Sequence, residues 1–221
     1  MWAKWIDCRV RPDARAAFAA GQRRWAAVAD QPGLIGQLGG WSPTGDRALL
    51  LALWTDETAY RRFMRERHDE IATEAAQQGS WESIRIASGP VALTMPGSAL
   101  SVPEALSVPE APLVPEALRR AALLRVADCE LRPGRTEHFL TVQHELWAPG
   151  MAAAGGLLTG AVTRLSPTRH LVTTLWTTPE AHAAYVTDAL PALLARADVP
   201  ADVAALTGHA VPLEPGWLVL P

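Results

Sequence analysis

The sequence predicts an α+β protein: two tandem ferredoxin-like βαββαβ domains, packed sheet to sheet into one intramolecular α/β barrel. Three observations carry this. First, the chain repeats itself. Asp7-Cys8-Arg9-Val10-Arg11-Pro12 is echoed by Asp128-Cys129-Glu130-Leu131-Arg132-Pro133. Phe18 and Gln22 answer to Phe139 and Gln143, and Trp25-Ala26 to Trp147-Ala148 after a one-residue slip. Ser42-Pro43-Thr44, Leu53-Trp54-Thr55 and Phe63 answer to Ser166-Pro167-Thr168, Leu175-Trp176-Thr177 and Tyr185. An ordered series with small slips marks a duplication. Second, each copy reads β-α-β-β-α-β, the split unit of ferredoxin-like folds. Third, a proline-rich seam separates the copies, with Val-Pro-Glu-Ala beginning at positions 102, 108 and 114.

The first copy opens with alternation over residues 2–10. Ile6, Cys8 and Val10 share one face, and Ala3, Trp5 and Asp7 the other, which is a strand. Pro12-Asp13 starts a helix carrying Ala16, Phe18, Trp25 and Val28, stopped by Pro32-Gly33. Residues 34–41 read as a second strand, Ser42 to Asp46 as a turn, and residues 47–54 as a buried third strand. Thr55 or Asp56 caps a second helix bearing Tyr60, Phe63, Met64, His68 and Ile71. Residues 82–95 give the last strand, with a break near Gly89-Pro90.

The second copy repeats this: strand 121–131, helix 134–148, strands 156–165 and 169–176, helix 178–194 and strand 208–220, with an extra turn near 198–206. The domains are therefore 1–96 and 119–221, joined by a linker over 97–118. Proline at the linker's density disfavours helix interiors and strand ladders and favours extended spacers. Helices cover one face of each four-stranded sheet, so the bare face needs a partner. The other copy, tethered nearby, supplies it. A monomer containing its own pseudo-dimer is the expectation.

Composition excludes several functions. The net charge is −3, so no basic face for nucleic acid is offered. No apolar run reaches membrane-spanning length and no leader pattern opens the chain, which points to the cytoplasm. Lys4 is the one lysine against nineteen arginines, a pattern of codon bias. Cys8 and Cys129 occupy equivalent strand positions and read as reduced, buried thiols. No zinc-type spacing, phosphate loop or nucleophile elbow appears, so neither metal nor nucleotide has local support.

The hydrophobic third strand ends in Leu53-Trp54-Thr55 and is followed by an acidic cap and an aromatic helix. In this it resembles the antibiotic-biosynthesis-monooxygenase-like dimeric α/β-barrel superfamily. Lys4 to Cys8, Gly36 to Trp41 and His68 to Ile71 make the first copy, over residues 1–95, more narrowly similar to YdbC-like bacterial proteins. The superfamily resemblance implies the fold. It also implies a range of activities: cofactor-free oxygenases, haem-degrading enzymes, isomerases and cyclases, and proteins without known activity.

Candidate site residues follow from strand parity. If Ile6, Cys8 and Val10 face the helices, Trp5 and Asp7 face the barrel, and by the same parity Gln37 and Trp41 do too, with Leu38 outward. A carboxylate between indoles would have its pKa raised, as a general base or acid needs. Asp7 and its counterpart Asp128 would equally serve to bond an arginine or backbone amides. His68 would reach the cavity rim, or stand as a solvated helix residue in its charged run. Trp54, Phe63 and Trp176 complete the aromatic wall, or the core. The copies diverge: Trp5 becomes Val126, Trp41 becomes Leu165, and the second copy gains His144, His170 and His182. This places ligand binding in the first copy, with the second as a lid. The resemblance then implies a cofactor-independent monooxygenase acting on an aromatic or polyketide-type molecule, with Asp7 or His68 as base. The alternatives are haem binding, a cyclase or isomerase, and non-catalytic capture of a small apolar ligand. For haem, the resemblance implies an axial histidine and a tryptophan on the second helix; here Phe63 falls near the tryptophan's place and His68 comes early.

Overall fold

In the computed structural model, residues 1–98 and 113–221 are described. Most of the proline-rich linker, 99–112, lies outside them. Its end does not: Leu113–Arg120 forms a helix, with Pro115 in the first turn, where a missing N–H costs nothing. The linker expected to run to 118 is therefore helical from 113. The described chain forms two compact units, 1–90 with 211–221, and 91–210. These bounds differ from a simple division at the linker, because each repeat ends in a segment that belongs to the other unit.

The first unit is built from β1 (Trp2–Val10), α1 (Arg15–Arg24), β2 (Leu34–Trp41), β3 (Arg47–Trp54), α2 (Glu57–Glu66), α3 (His68–Ala75) and the first part of β4 (Trp81–Pro96). The strands are antiparallel in the order β2-β3-β1-β4. Asp56 is the cap of α2: its carboxylate accepts from the Ala59 N–H at 2.8 Å. Cys8 and Val10 pack with Phe18, Leu50, Trp41 and Trp217 under α1. Val28, Trp54, Phe63, Ile71 and Val219 form a second cluster under α2 and α3. The tail from 211 onward bonds the β2 edge, with Gln37 and Val219 exchanging both backbone hydrogen bonds at 2.9 and 2.8 Å. A bare edge is thereby covered.

The second unit contains α4 (Leu113–Arg120), β5 (Leu123–Leu131), α5 (Thr136–Val142), a π-helical turn Gln143–Trp147, α6 (Ala148–Ala153), β6 (Leu157–Arg164), β7 (Arg169–Trp176) and α7 (Pro179–Ala184). A second π turn, Tyr185–Ala189, then leads to α8 (Leu190–Ala197), α9 (Val199–Asp202) and β8 (Val203–Pro212). The last strand thus begins at 203 rather than 208; only α9 occupies the extra turn. Strand order is β6-β7-β5-β8, the same as in the first unit. Residues Val91 to Pro96 of β4 pair along the β6 edge. The fold is α+β, two ferredoxin-like units in tandem.

The one-residue slip between repeats has a physical form. Phe18 and Gln22 lie 121 residues before their counterparts, Trp25 lies 122 before Trp147, and the extra residue is absorbed as the π turn Gln143–Trp147. Such turns are rare and concentrate at functional sites. In both units a glycine with positive φ, Gly33 or Gly156, precedes the second strand. A Cβ there would lie 2.5 Å from the Cβ of Ala59 or Ala181, so only glycine lets the second helix approach.

Candidate functional site

Strand alternation sets the floor of a cavity inside the second unit. Leu123, Ala127, Cys129 and Leu131 join the core cluster under the helices, so Arg125, of the same parity, projects there too. Val172, Thr174 and Trp176 of β7 and Gly208 of β8 extend this floor. The roof is Phe139, Gln143 and Trp147, together with Met151, His182, Tyr185 and Leu190. The two π turns aim Gln143 and Trp147, and Tyr185 and Val186, at the space between. The cavity measures about 400 Å³. That suits a small organic molecule. Its exposed wall is apolar: Val186, Leu194 and Leu206 are 41%, 48% and 52% exposed, and they read as the mouth.

Polar groups in this apolar space are few. Arg125 has no hydrogen-bond or carboxylate partner among the described residues. Burial pulls its guanidinium below the usual value, yet an arginine remains a cation at neutral pH. Its neighbours Cys129 and Tyr185 are neutral. Burial pushes the thiol up to about 11 and the phenol up to about 12. Asp202, the one carboxylate on the wall, is already held by Arg135 and His138 at 2.8 Å each. His182 lies edge-on to Trp176, centroids 5.3 Å apart. Desolvation, and then the charge of Arg125, lower its pKa, so the imidazole is neutral at pH 7. Trp176 is fully buried, and its indole N–H donates to the Thr174 hydroxyl at 2.9 Å. The arrangement offers flat apolar walls, one uncompensated cation, the neutral imidazole of His182, and a second imidazole, His209, also on the wall.

Of the residues expected at a site, Trp176 lines this cavity and the others lie elsewhere. Asp7 is buried on the face of the first sheet opposite the helices, as parity requires, but it is not set between indoles. Arg47 donates to both its oxygens at 2.9 and 2.6 Å, and Arg85 donates at 2.6 Å. Asp128 is gripped by Arg169 through Nε and Nη2 at 2.9 and 2.5 Å. Trp5 is buried with the parity of Asp7. Gln37 and Trp41 are corrections. The β2–β3 register shifts between Leu34 and Gly36, and this bulge turns both side chains to the helix-covered face. There Trp41 packs on Phe18 and Trp217, with Arg15 over its ring at 4.4 Å. Trp54 and Phe63 stack at 5.0 Å in the first unit's core. His68 packs on Phe63 and Trp25, and its Nδ1 meets Asp69 at 2.8 Å.

Arg125, His182, Tyr185 and Trp147 are thus the cavity groups that sequence reasoning did not select. One signal was available. The chain's single lysine, Lys4, and Arg125 stand at the same position on the otherwise apolar faces of two strands, beside Ile6, Cys8 and Val10 and beside Ala127, Cys129 and Leu131.

Comparison with known proteins agrees with this architecture. Residues 2–88 match the family model described as a domain of unknown function, DUF4937. Over 89 residues, 39% of this chain and 75% of the relative, the sequence is 35% identical to the uncharacterized protein YdbC of Bacillus subtilis. A solved candidate monooxygenase of Fusobacterium nucleatum superposes with a TM-score of 0.72 at 7% identity, covering 96% of this chain and 91% of that one. One from Lactobacillus acidophilus gives 0.70 at 10% identity, covering 99% and 95%. An anthrone oxidase-like protein gives 0.64 at 14% identity, covering 96% and 91%. Identities this low show the fold alone, and they show it over both units. No helix among the described residues is long and apolar enough to cross a membrane. With more than a third of the aligned residues identical and three quarters of that relative covered, the chain belongs to the YdbC-like family, the resemblance lying in its first repeat.

Proposed function

We propose that the protein is a cofactor-independent, monooxygenase-like enzyme that holds an aromatic or polyketide-type molecule in the cavity of its second unit. The observation that supports this best is the pairing of a neutral imidazole, His182, with an uncompensated guanidinium, Arg125, inside an aromatic-walled space of about 400 Å³. His182 takes a proton from an acidic ring C–H of the substrate. Arg125 stabilises the resulting enolate. The anion passes one electron to dioxygen, the radical pair joins at carbon as a peroxide anion, and the proton held by His182 returns to it to give a hydroperoxide. Loss of water leaves a carbonyl, so one oxygen atom enters the product and the other leaves as water. The likeness to an anthrone oxidase-like protein accords with such a reaction. With two units on one chain, a monomer is the expected working form.

The residues present do not fit a haem site built on His68. That side chain is wedged against Trp25 and Phe63 and is not among the residues lining the cavity. The test is oxygen consumption by purified protein with anthrone-type substrates. Turnover without added metal or flavin that falls with His182→Gln supports the proposal. Binding of the same molecules without oxygen uptake makes the protein a carrier instead.

A further inference from the structure

The wall of the second-unit cavity holds a charge whose partner no described part of the chain provides. Arg125 has five donors and no acceptor among the described residues, its thiol and phenol neighbours are neutral, and Asp202 is already taken. Arg125 is half-buried in an apolar wall, where an unpaired cation is costly and a ligand anion would compensate it. The first unit shows the alternative. Lys4, at the equivalent strand position, donates to the Met64 sulfur at 3.6 Å and lies 5.9 Å from the Tyr60 ring centre. In the second repeat these two covers are replaced by the shorter Val186 and by His182. Opposite the guanidinium stands Gly208, where the first repeat has Ile86. A Cβ at Gly208 would lie 3.6 Å from Nη2, so the absent side chain leaves space beside the charge.

We propose that this cavity selects an aromatic monoanion, with its acidic group paired to Arg125 and its apolar body extending toward Val186, Leu194 and Leu206. The proposal rests on the reading of the cavity as the ligand site and specifies what it takes. A guanidinium donates a forked pair of hydrogen bonds to carboxylate or sulfonate oxygens, and donates likewise to a single enolate oxygen. The apolar mouth disfavours small hydrated ions, and Trp147, Trp176 and Tyr185 provide ring faces for a flat body.

A matched pair of fluorescent probes tests it on the full-length protein. 8-Anilinonaphthalene-1-sulfonate and N-phenyl-1-naphthylamine share one aromatic body, and only the first carries a charge. The anion should bind more tightly by about ten-fold or more, as a charge-assisted hydrogen bond gives. Arg125→Met should abolish that preference while leaving the neutral probe within about three-fold. Gly208→Ile, which keeps the arginine but fills its neighbouring space, should weaken both. Equal binding of the two probes by the wild type, a comparison needing no variant, overturns the charge selection and leaves the cavity reading intact. Sulfonate binding that survives both substitutions also overturns it, because the probe then sits elsewhere. If the folded protein binds neither probe, the cavity reading itself fails.

Discussion

Lys4 and Arg125 occupy the same point in their repeats, on the helix-covered face of the first strand of each unit, and neither meets a carboxylate among the described residues. The first unit caps its cation with a thioether and a phenol ring, whereas the second leaves its cation facing open space. One duplicated charge has become a packed core group in one copy and a wall of the cavity in the other.

Removing the capped charge should stabilise the protein. Burial lowers the Lys4 pKa to about 8, against roughly 10.4 in an unfolded chain. Between these values the unfolded state binds more protons, so stability rises with pH from about 8 to 10.4. Lys4→Met should therefore stabilise the fold by about 3 kcal/mol at pH 7 and remove this rise. Urea denaturation at pH 7 and pH 10 checks both. A destabilised Lys4→Met would mean that the ammonium makes a needed contact.

The Asp7 network should be worth more than its exposed arm suggests. Asp7 is 4% exposed and carries two guanidinium partners. Asp7→Ala leaves two cations facing each other and should cost about 3–5 kcal/mol. Arg85 is 61% exposed, so Arg85→Ala should cost under about 1 kcal/mol. Equal losses in chemical denaturation would contradict this. So would an Asp7→Asn variant that folds as stably as wild type but loses turnover, because that would return Asp7 to catalysis.

His170 should make the protein acid-sensitive. It is wholly buried against Phe139; neither ring nitrogen makes a full hydrogen bond among the described residues, although the Thr168 backbone lies close enough to favour the charged form a little. Desolvation and the charge of Arg164 lower its pKa. The unfolded state then protonates first as pH falls. Stability is complete above an unfolded value of about 6.5 and is lost below it by up to ~1.4 kcal/mol per pH unit. Its counterpart in the first repeat is Ala48. His170→Leu should flatten the denaturation midpoint between pH 7 and pH 5. An unchanged slope would locate the acid sensitivity in other groups.

His182→Gln should separate chemistry from binding. Loss of a general base typically costs about 10²- to 10⁴-fold in rate. Binding of the aromatic ligand, held by ring faces and Arg125, should stay within about three-fold. Stopped-flow oxygen consumption beside probe titration distinguishes the two. A parallel loss of both would make His182 a packing residue.

Much of the fold was legible in the chain. Ile6, Cys8 and Val10 alternate against Trp5 and Asp7, and the same alternation returns at Ala127, Cys129 and Leu131, so the strands and their helix-facing sides could be read directly. Gln37 and Trp41 were placed on the wrong face because a bulge between Leu34 and Gly36 inverts parity, and nothing in the local pattern announces it. The slip between Gln22 and Trp25 relative to Gln143 and Trp147 could be counted, but not its resolution as a π turn that aims Trp147 into a cavity.

The sequence by itself determined the duplication, the order of elements in each copy, and the equivalent positions of Lys4 and Arg125 on otherwise apolar strand faces. Periodicity and repetition are local properties, and they survive without knowledge of what packs where. Only the tertiary structure decided that Asp7 is spoken for by two arginines, and that the described cavity lies in the second copy. A cavity is the space left after side chains from distant strands and helices have met. Replacing Met64 by Val186 and Ile86 by Gly208 opens it beside Arg125, although each difference is a single unremarked letter in the chain.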